Sequence, residues 1–154
     1  MEISQHLPLK SLVTVNSPGD SKDIKDEFRK AVEIGSKMPL PMLKGLLAMK
    51  AHSFYEEQEQ LTDEQSAILK AMIGDLDIRF LRWAAIAAAN WDRHEPPRFK
   101  QPTLSIHGEF NTIMKRPKQI ETELLSGGRH LLPLTHPEEL SSNLEQFWKN
   151  LPDS

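Results

Sequence analysis

Two polar clusters near the end of the chain hold residue types that can move a proton. One is Gly127-Gly128-Arg129-His130; the other is His107-Gly108-Glu109-Phe110-Asn111. A histidine with an unperturbed pKa of about 6.5 takes up and releases a proton near neutral pH. The two glycines before His130 let the backbone turn sharply enough to aim the ring into a crevice. Asn111, in the second cluster, carries an amide. Its amide oxygen can accept an imidazole N–H but cannot stabilise imidazolium as a carboxylate does. Glu109, two residues earlier, is a less favoured substitute because of its parity and place in the turn. The plain readings stand beside these: Gly-Gly-x-His is often only a turn, and Asn is a favoured turn residue that tolerates left-handed backbone.

These clusters need a frame. A strand from Pro102 to Ile106 leads into the His107 cluster, and a second short strand, Ile120 to Leu125, leads into the glycine turn. A helix opened by His136-Pro137-Glu138-Glu139 follows. Near the start, Ser11 to Asn16 is β-branched and ends in Ser17-Pro18-Gly19-Asp20, the pattern of a strand closed by a turn. It is expected to be a central strand with its functional end at the C-terminal side.

The stretch between these strands reads as helices. Asp20 or Ser21 caps the first, Lys22 to Ile34, which Gly35 and Ser36 close; the second runs from Met42 to about Gln58. Thr62 with Gln65 three residues on is a capping box for the third, which Gly74 ends. Asp75 or Asp77 caps the most apolar helix, Ile78 to about Trp91, whose alanines predict close packing on both sides and a buried Trp83. Trp91 and Trp148 are likewise expected to pack in the interior. Glu56 to Gln60 reads as a solvated helix end, and Asp92 to Gln101, with Pro96-Pro97, as a rigid linker. So long a helical block exceeds an ordinary crossover, and the strands fit together only within a larger, mostly parallel sheet.

The order strand, turn, strand, Gly-Gly-x-His, helix, together with the wording IHGEFNTIM and SGGRHLLPLTHPEEL, resembles the C-terminal part of an α/β-hydrolase. The likeness is close over about the last fifty residues and looser back through Trp91, Trp83 and the strand Leu12 to Asn16. It implies an α/β fold class: a partial α/β-hydrolase fold with about three mostly parallel strands, a four-helix cap-like insertion and a C-terminal helix. The whole of 1–154 is then one domain, with 22–92 as the cap-like segment and 102–154 as the segment carrying strand, His loop and helix. It further implies that His130 stands at the catalytic histidine and Asn111 at a degenerate position of the acid that orients it. In a serine-protease triad the same Asp-to-Asn change lowers turnover about 10⁴-fold. His107-Gly108 is a structural pair in that family, the glycine permitting the turn.

The departure from the family is the nucleophile. A G-x-S-x-G elbow sets serine on a strained strand-to-helix turn, and no segment of these 154 residues matches it. Ser17 follows a strand, but Pro18 after it has no N–H to serve as an oxyanion donor. By the resemblance the elbow lies upstream of Met1.

Composition narrows the alternatives. A net charge of −3 provides no basic field for phosphate backbones, so no nucleic-acid partner is expected. The longest apolar run, Trp83 to Ala89, is far shorter than the roughly 20 residues that span a bilayer, so no membrane role is expected either. With no cysteine, disulfides, thiolate metal sites and a cysteine nucleophile fall away, and a cytoplasmic location is the default. His107 and Glu109 suggest a zinc-deaminase His-x-Glu, but its cysteine ligands are missing. His130 and His136 lack a recognised ligand spacing. No cofactor or metal is expected.

The reading is thus a relative of serine esterases and acyl hydrolases, inactive as an isolated chain, that takes a small ester-like ligand or is completed by an N-terminal half. The alternative is a non-catalytic interaction domain that binds a partner or a second copy through a free sheet edge at Leu12 to Asn16 or Leu104 to Ile106. A third is a truncated reading of a longer gene.

Overall fold

The computed structural model describes residues 8–92, 101–118 and 120–152. Three strands form its sheet: β1 (Leu12–Val15), β2 (Thr103–Gly108) and β3 (Glu123–Leu125), in the order β1-β2-β3. Both pairings are parallel, with Leu12 opposite Thr103 and Val15 opposite Ile106 on one side of β2, and Ile106 opposite Glu123 on the other. Parallel pairing sends all three C-terminal ends to one rim, where open α/β sheets place their ligand sites.

Two expectations change here. Among the described strands β2, buried along nearly its whole length, is the central one, and β1 lies at the edge. Ile106 is paired on both sides, whereas Leu104 and Ser105 pair with β1 alone. The last strand is also shorter than Ile120 to Leu125. The Thr122 hydroxyl donates to the Ile120 carbonyl and accepts from the Ser105 hydroxyl, which leaves the chain turned before Glu123.

One face of the sheet buries Leu104, Ile106 and Leu125 against Leu132 and Leu140. Leu132 belongs to a short helix the sequence did not announce, α5 here and later (Leu132–Thr135); Leu140 belongs to the C-terminal helix, α6 (Pro137–Lys149). Leu140, Leu144 and Phe147 fall at helical spacing on one side of that helix, and all three meet this core. Each such apolar side chain, once buried, contributes about 1.5–3 kcal/mol.

The helical layer comprises α1 (Asp26–Lys37), α2 (Leu40–Glu59), α3 (Asp63–Gly74) and α4 (Ile78–Asn90), with a single 3-10 turn at Ser21–Asp23 before them. The helix expected from Lys22 starts only at Asp26. Ile24 bridges Met114, and Lys25 donates its N–H to the Ile113 carbonyl, so the chain is extended there and cannot yet be helical. Gly35 and Ser36 do not close this helix; it continues to Lys37. The Thr62 capping box forms as its spacing predicts, and Asp77 caps α4.

The packing of α4 departs from expectation. It rests on α1 and α2, but Trp83 is 65% exposed, Trp148 is 55% exposed, and Phe80 lies against Trp83 on the outer side. An all-round apolar helix has two faces to cover, and here only one meets other helices. The Asp92 to Gln101 linker lies mostly outside the described residues. No helix among them is long and apolar enough to cross a membrane.

Candidate active site

β1 ends at Asn16, which takes a left-handed backbone (φ 45°) that asparagine tolerates better than most residues. Its side chain turns across the rim of the sheet. The amide donates one hydrogen to the Arg129 carbonyl at 2.8 Å and the other to the His130 carbonyl at 2.7 Å, and its oxygen accepts the Gly108 N–H at 2.8 Å. One buried amide thus joins the ends of β1 and β2 to the loop after β3. In that loop Gly127 has φ +70°, the conformation for which glycine is suited.

Gly108 is needed for a different reason from the one its place in a turn suggested. A Cβ there would sit 2.1 Å from the Arg129 carbonyl oxygen and 2.7 Å from Gly128 carbonyl atoms. Close approach of two backbones, not a left-handed turn, demands the glycine. The Glu109 carboxylate accepts the Gly127 N–H at 3.0 Å and so braces the turn.

Asn111 is buried, yet it does not offer its oxygen to His130 as expected. That oxygen accepts the N–H groups of Ile113 and Met114, both at 2.9 Å. The two main-chain donors occupy both lone pairs of that oxygen, and they fix which way the amide faces. The amide nitrogen is then left buried without a partner, as is Nδ1 of His130. The Asn111 loop is tied from the other side by Lys25, whose ammonium donates to the Asn111 carbonyl at 2.7 Å.

His130 is pushed down to about 4, chiefly by burial and secondarily by the nearby His107. Its ring is neutral at pH 7, and so far below the operating pH it is a weak proton acceptor. His107, also buried, is held below its ordinary value by burial; a hydrogen bond to the Met114 backbone opposes this, Arg116 and Lys25 add to it, and Asp23 opposes it.

Sequence reasoning missed Glu59. Instead of ending a helix in solvent, it is 4% exposed. Its carboxylate accepts the N–H groups of His130 at 3.2 Å and Leu131 at 2.8 Å. Beside it Arg129 donates to the Gln58 carbonyl. Tyr55, one turn back, is pushed up by burial and then by the Glu59 charge. The run of polar residues around Glu59 hid it, because only tertiary contact tells a buried carboxylate from its solvated neighbours.

A groove of about 430 Å³ between α1 and α4, lined by residues such as Arg29, Glu33 and Asn90, includes none of these groups. Among the described residues no three His, Cys, Asp or Glu side chains group as metal ligands would.

No protein-family model and no curated protein matches the sequence. Among solved structures, a malate-bound thermophilic esterase from Thermogutta terrifontis matches with a TM-score of 0.69 at 15% identity. The chain has an esterase-like fold. The match takes in 93% of this chain and 57% of that one, so the chain spans little more than half of the esterase's length. NosK from Streptomyces actuosus aligns over 94% of this chain and 60% of its own with 21% identity and a TM-score of 0.41. Within the esterase-like fold, the ends of the three strands, His107 to Asn111 and the His130 loop gather at one rim.

Proposed function

We propose that this chain carries the histidine side of an esterase-like hydrolytic site for an ester or related acyl substrate. His130 stands in the place of the general base and Asn111 in the place of the acid that would orient it. The observation that carries the reading is the pinning of the His130 loop to the C-terminal ends of β1 and β2 through Asn16.

On this reading the isolated chain is inactive. Asn111 commits its oxygen to the backbone, His130 lies near 4 with no carboxylate among the described residues to stabilise its charged form, and the sequence holds no G-x-S-x-G. A nucleophile is then supplied by a complementing half, and the protein works in the cytoplasm. The purified chain should hydrolyse p-nitrophenyl acetate no faster than buffer. A rate that His130→Ala removes would overturn the inactive reading.

A second reading, a non-catalytic interaction domain, is favoured by one observation: among the described strands β1 pairs on one side only. A partner strand or a second copy would extend the sheet there. Size-exclusion mass separates the two cases, since a clean monomer at high concentration argues against self-pairing.

A further inference from the structure

We propose that Glu59 is the positioning residue of His130, a latch through which helix α2 holds the histidine loop in place. The inference rests on the reading of His130 as the site's proton acceptor.

The geometry is unusual for a carboxylate. Glu59 sits at the last position of α2, is 4% exposed, and has no lysine, arginine or histidine side chain in ion-pair contact among the described residues. An unpaired buried anion is costly to keep. What offsets that cost is two main-chain N–H groups, those of His130 and Leu131, one for each carboxylate oxygen. Both are donors that the turn leaves without strand or helix partners, so the anion and the loop satisfy one another.

The latch acts on backbone and not on ring charge. The causes of the low His130 value are burial and His107, and Glu59 is not among them. A carboxylate that served as a substitute triad acid would favour the charged imidazole; this one fixes where the ring is carried. The loop is clamped from opposite sides, by Asn16 at its carbonyls and by Glu59 at its amides, with Arg129 reaching the Gln58 carbonyl as a third tie. Two of these three anchors come from α2, more than seventy residues earlier (|i−j| of 71 and 72). A displacement of α2 therefore reaches His130 directly.

Hydrogen exchange and histidine NMR test this without any substrate, so the latch can fail while the hydrolase reading stands, or the reverse. In Glu59→Gln a single acceptor oxygen replaces two. The His130 and Leu131 amides should then exchange about ten- to a hundredfold faster, the effect of losing a charge-assisted bond, while the Ile106 amide keeps its protection. The His130 titration should rise from about 4 toward the unperturbed value of about 6.5 as the loop loosens and the ring meets water. Glu59→Asp, which keeps the charge on a shorter arm, should restore part of the protection. Unchanged exchange at both amides and an unchanged titration in Glu59→Gln would overturn the proposal. Should that variant fail to fold, the wild-type protein decides: amides of His130 and Leu131 exchanging as fast as an exposed loop would overturn it, and protection near that of Ile106 would support it.

Discussion

Asn16 and His130, 114 residues apart, are joined by a hydrogen bond of 2.7 Å from the Asn16 amide to the His130 carbonyl. The same amide serves Arg129 and Gly108, so three main-chain groups depend on one side chain. Asn16→Ala leaves these groups unpaired in a buried place and is expected to destabilise the protein by about 2–4 kcal/mol. Asn16→Asp should be worse at pH 7, because it turns an anionic acceptor toward two carbonyl oxygens. Denaturation midpoints of the two variants check the order.

Gly108→Ala should also be damaging, by displacement and not by strain at φ. A methyl group at that position overlaps the Arg129 and Gly128 carbonyls, and neither can move without carrying His130 with it. We expect a loss of about 2 kcal/mol or more, together with large chemical-shift changes at His130 that exceed those at β1.

Asn111→Asp keeps the acceptor for Ile113 and Met114 and puts a second oxygen where the unpartnered amide nitrogen now lies. Where that carboxylate reaches the ring, the His130 imidazolium is favoured, and its titration should rise above the native value of about 4. An unchanged titration would show that the two side chains do not touch.

Acid should weaken the fold before the carboxylates titrate. His130 and His107 are both held below their ordinary value in the folded protein, so the unfolded chain binds protons that the native one does not. Stability therefore falls as pH drops below about 6.5, by up to about 1.4 kcal/mol per pH unit for each histidine that stays neutral. The slope from His130 ends once the folded ring itself protonates near 4. Exposed Glu33 and Asp77, lowered by Lys37 and by the Arg79 backbone N–H respectively, lose their contribution further down, as pH falls through the carboxylate range. Urea midpoints between about pH 5 and about pH 6.5 isolate the histidines; His130→Gln should flatten the curve there.

The parts of this fold that were legible in the sequence are those fixed by neighbours along the chain. The Thr62 and Gln65 box and the Asp77 cap act within one helical turn, and β1 and β2 announce themselves by composition. What stayed hidden was decided across the chain. Glu59 looks like Glu56 and Glu57 until the His130 loop arrives to bury it. Trp83 has the makings of a core residue, but among the described residues no element covers its face. The orientation of Asn111 was not legible, because the two donors that fix its amide are main-chain groups.

The helical layer leaves the sheet and returns to it through one doorway. Ser21 donates its N–H to the Trp91 carbonyl at 2.9 Å, and Lys22 faces Asp92 at 3.5 Å. Its two ends are stapled together, so the strands experience everything between as a closed loop. Lengthening such a loop is cheap, about 0.6 kcal/mol for each doubling. Helices can be added, lost or exchanged there without disturbing strand register, provided a carboxylate is still delivered to the amides of His130 and Leu131. Most of this layer can thus be redrawn, while its ties to the histidine segment stay few: the Glu59 carboxylate and the Gln58 carbonyl at the end of α2, and Gln65 of α3 reaching the Leu134 carbonyl.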